Sequence, residues 1–156
     1  MAGPVSRPLR IAAIVVALLA FVAISAGVAR QLGATSAERN AAVATIKDEA
    51  RGDGPGLARR IRGCAADGGC AARVGALAAR LRTRDRVRIL RYDGLGGVSL
   101  GGRHGVARVA WKAGTRLPVV QCVRLRRTGD LLSGYRIHVL ALSAPIGREA
   151  ACPKNG

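Results

Sequence analysis

The chain has 156 residues and a mass of 16.1 kDa, room for one domain. Its apolar share of 49% excludes a disordered chain, while aromatics at 3% leave the core to Val, Leu, Ile and Ala. Lys and Arg number 26 against 9 Asp and Glu, net +17, a balance that points to anionic partners.

The first element is an apolar run, Ile11 to Ala29, nineteen residues without a charge. As a helix it spans roughly 28 Å, close to the hydrocarbon thickness of a bilayer. Arg7 and Arg10 precede it, as in a secretory signal, and Gly27-Val28-Ala29 offers small residues for cleavage. The run is also long enough to stay as a signal anchor, and that reading is preferred. Basic residues nearly balance across it: Arg7 and Arg10 before, Arg30, Arg39 and Lys47 after. A short basic head stays inside and a long following domain translocates, so the expected topology is N-in, C-out.

Thr35-Ser36-Ala37-Glu38 has the form of a capping box, which predicts a fresh helix from about Ser36 to Ala50 with Glu38 spent on the cap. Gly52-Asp53-Gly54-Pro55-Gly56 breaks it. A second helix is expected over about Pro55 to Gly63 and a third over about Cys70 to Leu81, with Asp67-Gly68-Gly69 as the turn between them. From Asp85 the period moves toward 2. Four strands are predicted, about Arg86–Tyr92, Gly105–Lys112, Pro118–Arg127 and Tyr135–Ser143, separated by Gly- and Asp-containing turns.

The expected fold class is α+β: an N-terminal transmembrane helix, then helices packed on one face of a roughly four-stranded antiparallel sheet. The corresponding divisions are a basic head at 1–10, the anchor or signal at 11–29, a juxtamembrane helix at 30–51 and an extracytoplasmic domain at 52–156. That last segment carries 20 basic and 6 acidic side chains, net +14.

Cys64, Cys70, Cys122 and Cys152 make an even set in a small domain that follows an export signal, the usage expected of two disulfides. Three pairings are possible. Spacing favours Cys64 with Cys70 as a local clip and Cys122 with Cys152 as a tie for the tail. Zinc is disfavoured, because the first pair is too widely spaced and no His lies nearby.

Strand alternation places Val87, Ile89, Ala107, Val109, Trp111, Val119, Val123, Leu125, Tyr135, Ile137 and Val139 on one sheet face. Arg86, Arg88, Arg108, Lys112, Arg124, Arg126, Arg136 and His138 fall on the other. Cys122 and Tyr92 share the basic parity, so the partner of Cys122 must cross that face or its rim. Leu90, Val120, Leu140 and Leu142 on the basic side, and Gln121 on the apolar side, break the pattern.

Catalytic motifs fare poorly. Gly97-Val98-Ser99-Leu100-Gly101 matches G-x-S-x-G, with Asp130 and His138 following, but about 125 exported residues are too few for the large parallel sheet that a nucleophile elbow needs. Phosphate-loop patterns fail at Ser99 and at Arg103-His104. Asp53, Asp67, Asp93 and Asp130 all adjoin Gly and read as turn residues. No catalytic, metal or cofactor-binding residue is assigned.

Leu117 to Gly147, with the Cys64–Cys70 segment and Val109-Ala110-Trp111, resembles membrane-anchored or secreted proteins of high-GC Gram-positive bacteria that have no assigned activity. The resemblance implies a location and no catalytic residue. The expected function is a membrane-anchored extracytoplasmic interaction module. Its basic sheet face (Arg86, Arg88, Arg108, Lys112, Arg124, Arg126, Arg136) would bind anionic lipid, cell-wall polymer or an envelope protein. A cytoplasm-facing nucleic-acid binder and a small exported hydrolase using Ser99 or His138 are the alternatives. The inward assignment of Trp111 and Tyr135 counts against the first of these, since single-strand binders stack bases on exposed aromatics.

Overall fold

The computed structural model describes residues 7–94, 102–130, 133–147 and 150–152. Its first element, α1 (Arg7–Arg51), is one unbroken helix of 45 residues, about 68 Å long. The fresh helix expected at Ser36 is therefore not a separate element. Nothing between Ala29 and Thr35 stops the first helix, since neither proline nor a left-handed glycine intervenes. The helix ends at Gly52, whose φ of +76° is easy only for glycine. Gly52 N–H donates to Glu49 O (2.9 Å) and Asp53 N–H to Asp48 O (3.1 Å), the paired bonds of a Schellman stop.

The two halves of α1 differ. Large apolar side chains from Leu9 to Leu32 are exposed, and the segment is long and apolar enough to cross a membrane. From Ala34 onward a stripe is buried: Ala34, Glu38, Ala42, Thr45, Ile46 and Glu49, at the three- and four-residue spacing of one helix face.

Two shorter helices follow, α2 (Gly54–Arg60) and α3 (Gly68–Leu81). Each begins slightly before its expected start because an aspartate caps it. Asp53 accepts from Gly56 N–H (2.8 Å) and Asp67 from Cys70 N–H (3.0 Å). These helices pack closely: a Cβ on Gly54 would lie 3.0 Å from the Gly75 backbone. A 3₁₀ turn, Cys64–Ala66, joins them, and the Cys64–Cys70 disulfide clips it.

The sheet is a four-stranded antiparallel meander in the order β1 (Val87–Asp93), β2 (Arg103–Ala113), β3 (Val119–Asp130), β4 (Gly134–Leu142). Ala107, Val109, Trp111, Val123, Leu125 and Val139 join Ala42, Ile46, Leu57, Val74 and Ala78 in one buried cluster. Two register shifts correct the alternation read from sequence. One lies between Ile89 and Arg91, so Tyr92 pairs with Val109 and packs against the core, opposite to its expected side. The other lies between Arg124 and Leu125, opposite Leu140, so Leu142 pairs with Val123 and also packs against the core.

After β4 the chain stays beside β3. Ser143 N–H donates to Cys122 O (2.9 Å), and Ile146 N–H donates to Val120 O (2.8 Å). The Cys122–Cys152 disulfide then ties the tail down. Both disulfides are those the spacing favoured, and they leave no free thiol among the described residues.

Candidate anionic-partner face

Cross-strand register determines which basic side chains share a face, since directly paired residues project to the same side. Arg88 pairs with Lys112, Arg108 with Cys122, Arg124 with Val106, Arg126 with His104 and His138, and Arg136 with Thr128. All of these lie opposite the row Ala107, Val109, Trp111, Val123, Leu125. Arg86 precedes β1 and is exposed. Arg88, Arg126 and Arg136 are exposed, while Lys112 and Arg124 are half-buried. Arg108 reaches Asp93 at 3.9 Å.

The bulge that turns Tyr92 inward leaves Arg91 pointing outward, opposite Ala110. Sequence parity missed this residue, because an extra residue in a strand leaves no trace in a two-residue period. Its guanidinium donates to both oxygens of Asp93, at 2.8 and 2.9 Å. Asp93, and Asp130 at the hairpin end, are the carboxylates on this face among the described residues. Lys112 directly opposite Arg88 is a like-charge pair, which an isolated sheet disfavours.

The other face holds polar groups that the sequence reading assigned elsewhere. Glu38 is buried and lies 3.4 Å from Arg127, which is itself 3% exposed and rests over the Tyr135 ring at 4.8 Å. Burial raises the Glu38 carboxyl above its ordinary range, and Arg127 and Arg103 oppose that rise. Glu38 is thus a partner for an inward arginine instead of a helix cap. Deeper in, Trp111 Nε1–H donates to Gln121 Oε1 (2.8 Å), while Gln121 Nε2–H donates to Glu49 Oε1 (2.8 Å) and to Ser143 O (3.1 Å). Burial pushes the Glu49 carboxyl up to about 7, with the Gln121 bond acting against it. The tyrosine hydroxyl of Tyr92, buried near Glu38, is pushed up to about 12. Gln121 at an apolar-parity position, opposite Val109, was the sequence signal for this network.

Two further aspartates act as anchors, Asp48 on α1 and Asp130 at the expected turn. Asp48 binds both Arg51 and Arg60. Ser133 N–H donates to Asp130 Oδ1 (2.7 Å). Asp130 lies opposite Gly134 and His138 opposite Arg126, about 13 Å apart along β4. His138 Nε2 instead meets Thr128 Oγ1 at 3.3 Å. Ser99, and the Gly97–Gly101 motif with the strand suggested at Val98–Leu100, lie outside the described residues. Comparison of the chain with protein-family models, with curated proteins and with solved structures finds no match.

Proposed function

We propose that this protein is a membrane-anchored, outward-facing interaction module, without catalytic activity of its own, that binds an anionic component of the cell envelope. In this reading α1 enters the bilayer through its apolar half, and the helices cover one face of the sheet. The opposite face, with Arg88, Arg108, Lys112, Arg124, Arg126 and Arg136, meets the partner. The observation that carries the reading is the register itself, which gathers basic residues from all four strands onto one side. A like-charge neighbour pair such as Arg88 and Lys112 is a cost to the free protein that a polyanion would relieve. Two disulfides support an oxidising compartment.

The test uses the full chain, titrated with an anionic phosphodiester wall polymer and with phosphatidylglycerol vesicles. Each basic side chain near an anionic surface contributes about 1 kcal/mol. Arg124→Glu with Arg126→Glu removes two such contributions and adds two repulsions, so binding should weaken by about 2 kcal/mol or more, at least roughly thirtyfold. Binding that the double variant leaves unchanged would remove the sheet face from the function.

A further inference from the structure

The continuity of α1 gives the basic residues a height above the bilayer. Glu38 packs against Arg127, which pairs with Arg103, while Glu49 reaches Gln121 and Ala50 O accepts from Thr83 N–H (2.8 Å). The helix therefore runs opposite in sense to β3. The end of the sheet bearing Arg126, Arg127 and Arg136 lies toward the apolar half of α1. The end bearing Arg84, Arg86 and Arg116 lies away from it, where Arg116 Nη1 reaches Arg82 O at 3.4 Å.

Helical rise converts this order into distance. Glu38 is nine residues past Ala29, about 14 Å, and Ala50 is twenty-one residues past it, about 32 Å. Headgroups occupy roughly the first 5–8 Å outside the hydrocarbon. At physiological salt the field of the headgroup charges decays over about 8 Å. The Glu38 level is within about one such length of the phosphates, and the Ala50 level is about three lengths away. The β3–β4 hairpin narrows the gap further. Its Asp130–Gly134 pair is three strand residues beyond Arg127, about 10 Å nearer the bilayer.

We infer that the near group, Arg39, Arg126 and Arg136, docks on the phosphate headgroups of the bilayer that holds α1, and that the far group, Arg84, Arg86 and Arg116, stands clear of that surface. This rests on the anchor reading proposed above. All six side chains are exposed. Asp130, held by Ser133 at the hairpin end, is the opposing charge that the near group outweighs. The basic surface of the domain thus has two zones, and lipid phosphate is the ligand of only one.

The experiment compares the full chain in vesicles of pure phosphatidylcholine with vesicles containing about one-quarter phosphatidylglycerol. A water-soluble dicarbonyl that modifies neutral guanidine reports each arginine by peptide mass. A surface potential of about −30 mV slows that reaction about threefold for a guanidinium at the headgroups. Slowing of about threefold or more at Arg39, Arg126 and Arg136, absent at Arg84, Arg86 and Arg116 and abolished by high salt, is the expected result. Equal slowing in both groups, or none in either, overturns the inference when the chain resists alkaline carbonate extraction. A chain that carbonate does extract overturns the anchor reading itself, so the two failures are separable.

Discussion

Glu49 is fully buried, with one carboxylate oxygen bonded to Gln121 and the other without a hydrogen-bond partner. Its acidity therefore couples to folding. Its carboxyl titrates at about 7 in the fold, against an ordinary value of 4.5, so the folded state holds the proton more tightly. For a raised acid the favourable contribution is complete below about pH 4.5 and is lost as pH rises through about 7. The interval corresponds to on the order of 3 kcal/mol. Glu49→Gln keeps an acceptor for Gln121 and removes the titration. Thermal unfolding followed from about pH 5 to pH 8 should show wild-type stability falling and the variant's falling less, the raised Glu38 carboxyl remaining in both. Equal slopes would mean that Glu49 is ionised in the fold.

The same residue shows what a sequence conceals. In the sequence Asp48 and Glu49 are simply neighbours on a helix, where adjacent side chains do not face one another. The stripe that buries Glu49 is defined only once Gln121 and Trp111 arrive from strands about seventy residues later in the chain. Likewise the capping-box reading of Glu38 was locally sound, but the helix runs on through Ser36 and Glu38 lies against Arg127. A buried charge depends on a distant partner, and short-range spacing carries no information about that partner.

At the scale of elements, turn chemistry and alternation were sufficient for the two shorter helices, the four strands and their order, and cysteine spacing for both disulfides, while the break expected before Ser36 is absent. What alternation could not supply was the position of the two bulges, which moved Tyr92 and Leu142 to the core and Arg91 to the surface. The β3–β4 hairpin rests on Gly129, with φ +92° and a Cβ position 2.0 Å from Gly134 O. Gly129→Ala meets both a forbidden backbone region and a clash, so chemical denaturation should show a loss of about 2 kcal/mol or more. The tail tie closes a loop with a sequence separation of 30, and the helical clip one of 6. Loop entropy gives about 3–4 kcal/mol for the first and about 2 kcal/mol for the second. Cys152→Ser should therefore lower the denaturation midpoint more than Cys70→Ser does.

For the whole molecule, compartment and charge act together. Trapping thiols in the native envelope with a mass-tagging alkylating reagent should add no tags before reduction and four after it, one for each cysteine. Four tags before reduction would place the domain in a reducing compartment and make nucleic acid the leading partner. The excess of arginine was legible from composition. Its division into a near and a far group was not, because that depends on the direction in which α1 crosses the sheet.

In the anchored state proposed above, the unbroken α1 would also make the domain a lever. Its two described glycines, Gly27 and Gly33, are both helical, and no proline interrupts the helix beyond Pro8. With α1 held in a bilayer as proposed, a change in thickness that alters helix tilt by about 20° would swing the Ala50 level sideways by about 11 Å, given a rise of about 32 Å from Ala29. The far arginines would sweep through that arc while those beside Glu38 moved less than half as far. Thickness of the lipid phase would thus become displacement at the outer tip, with no hinge to absorb it.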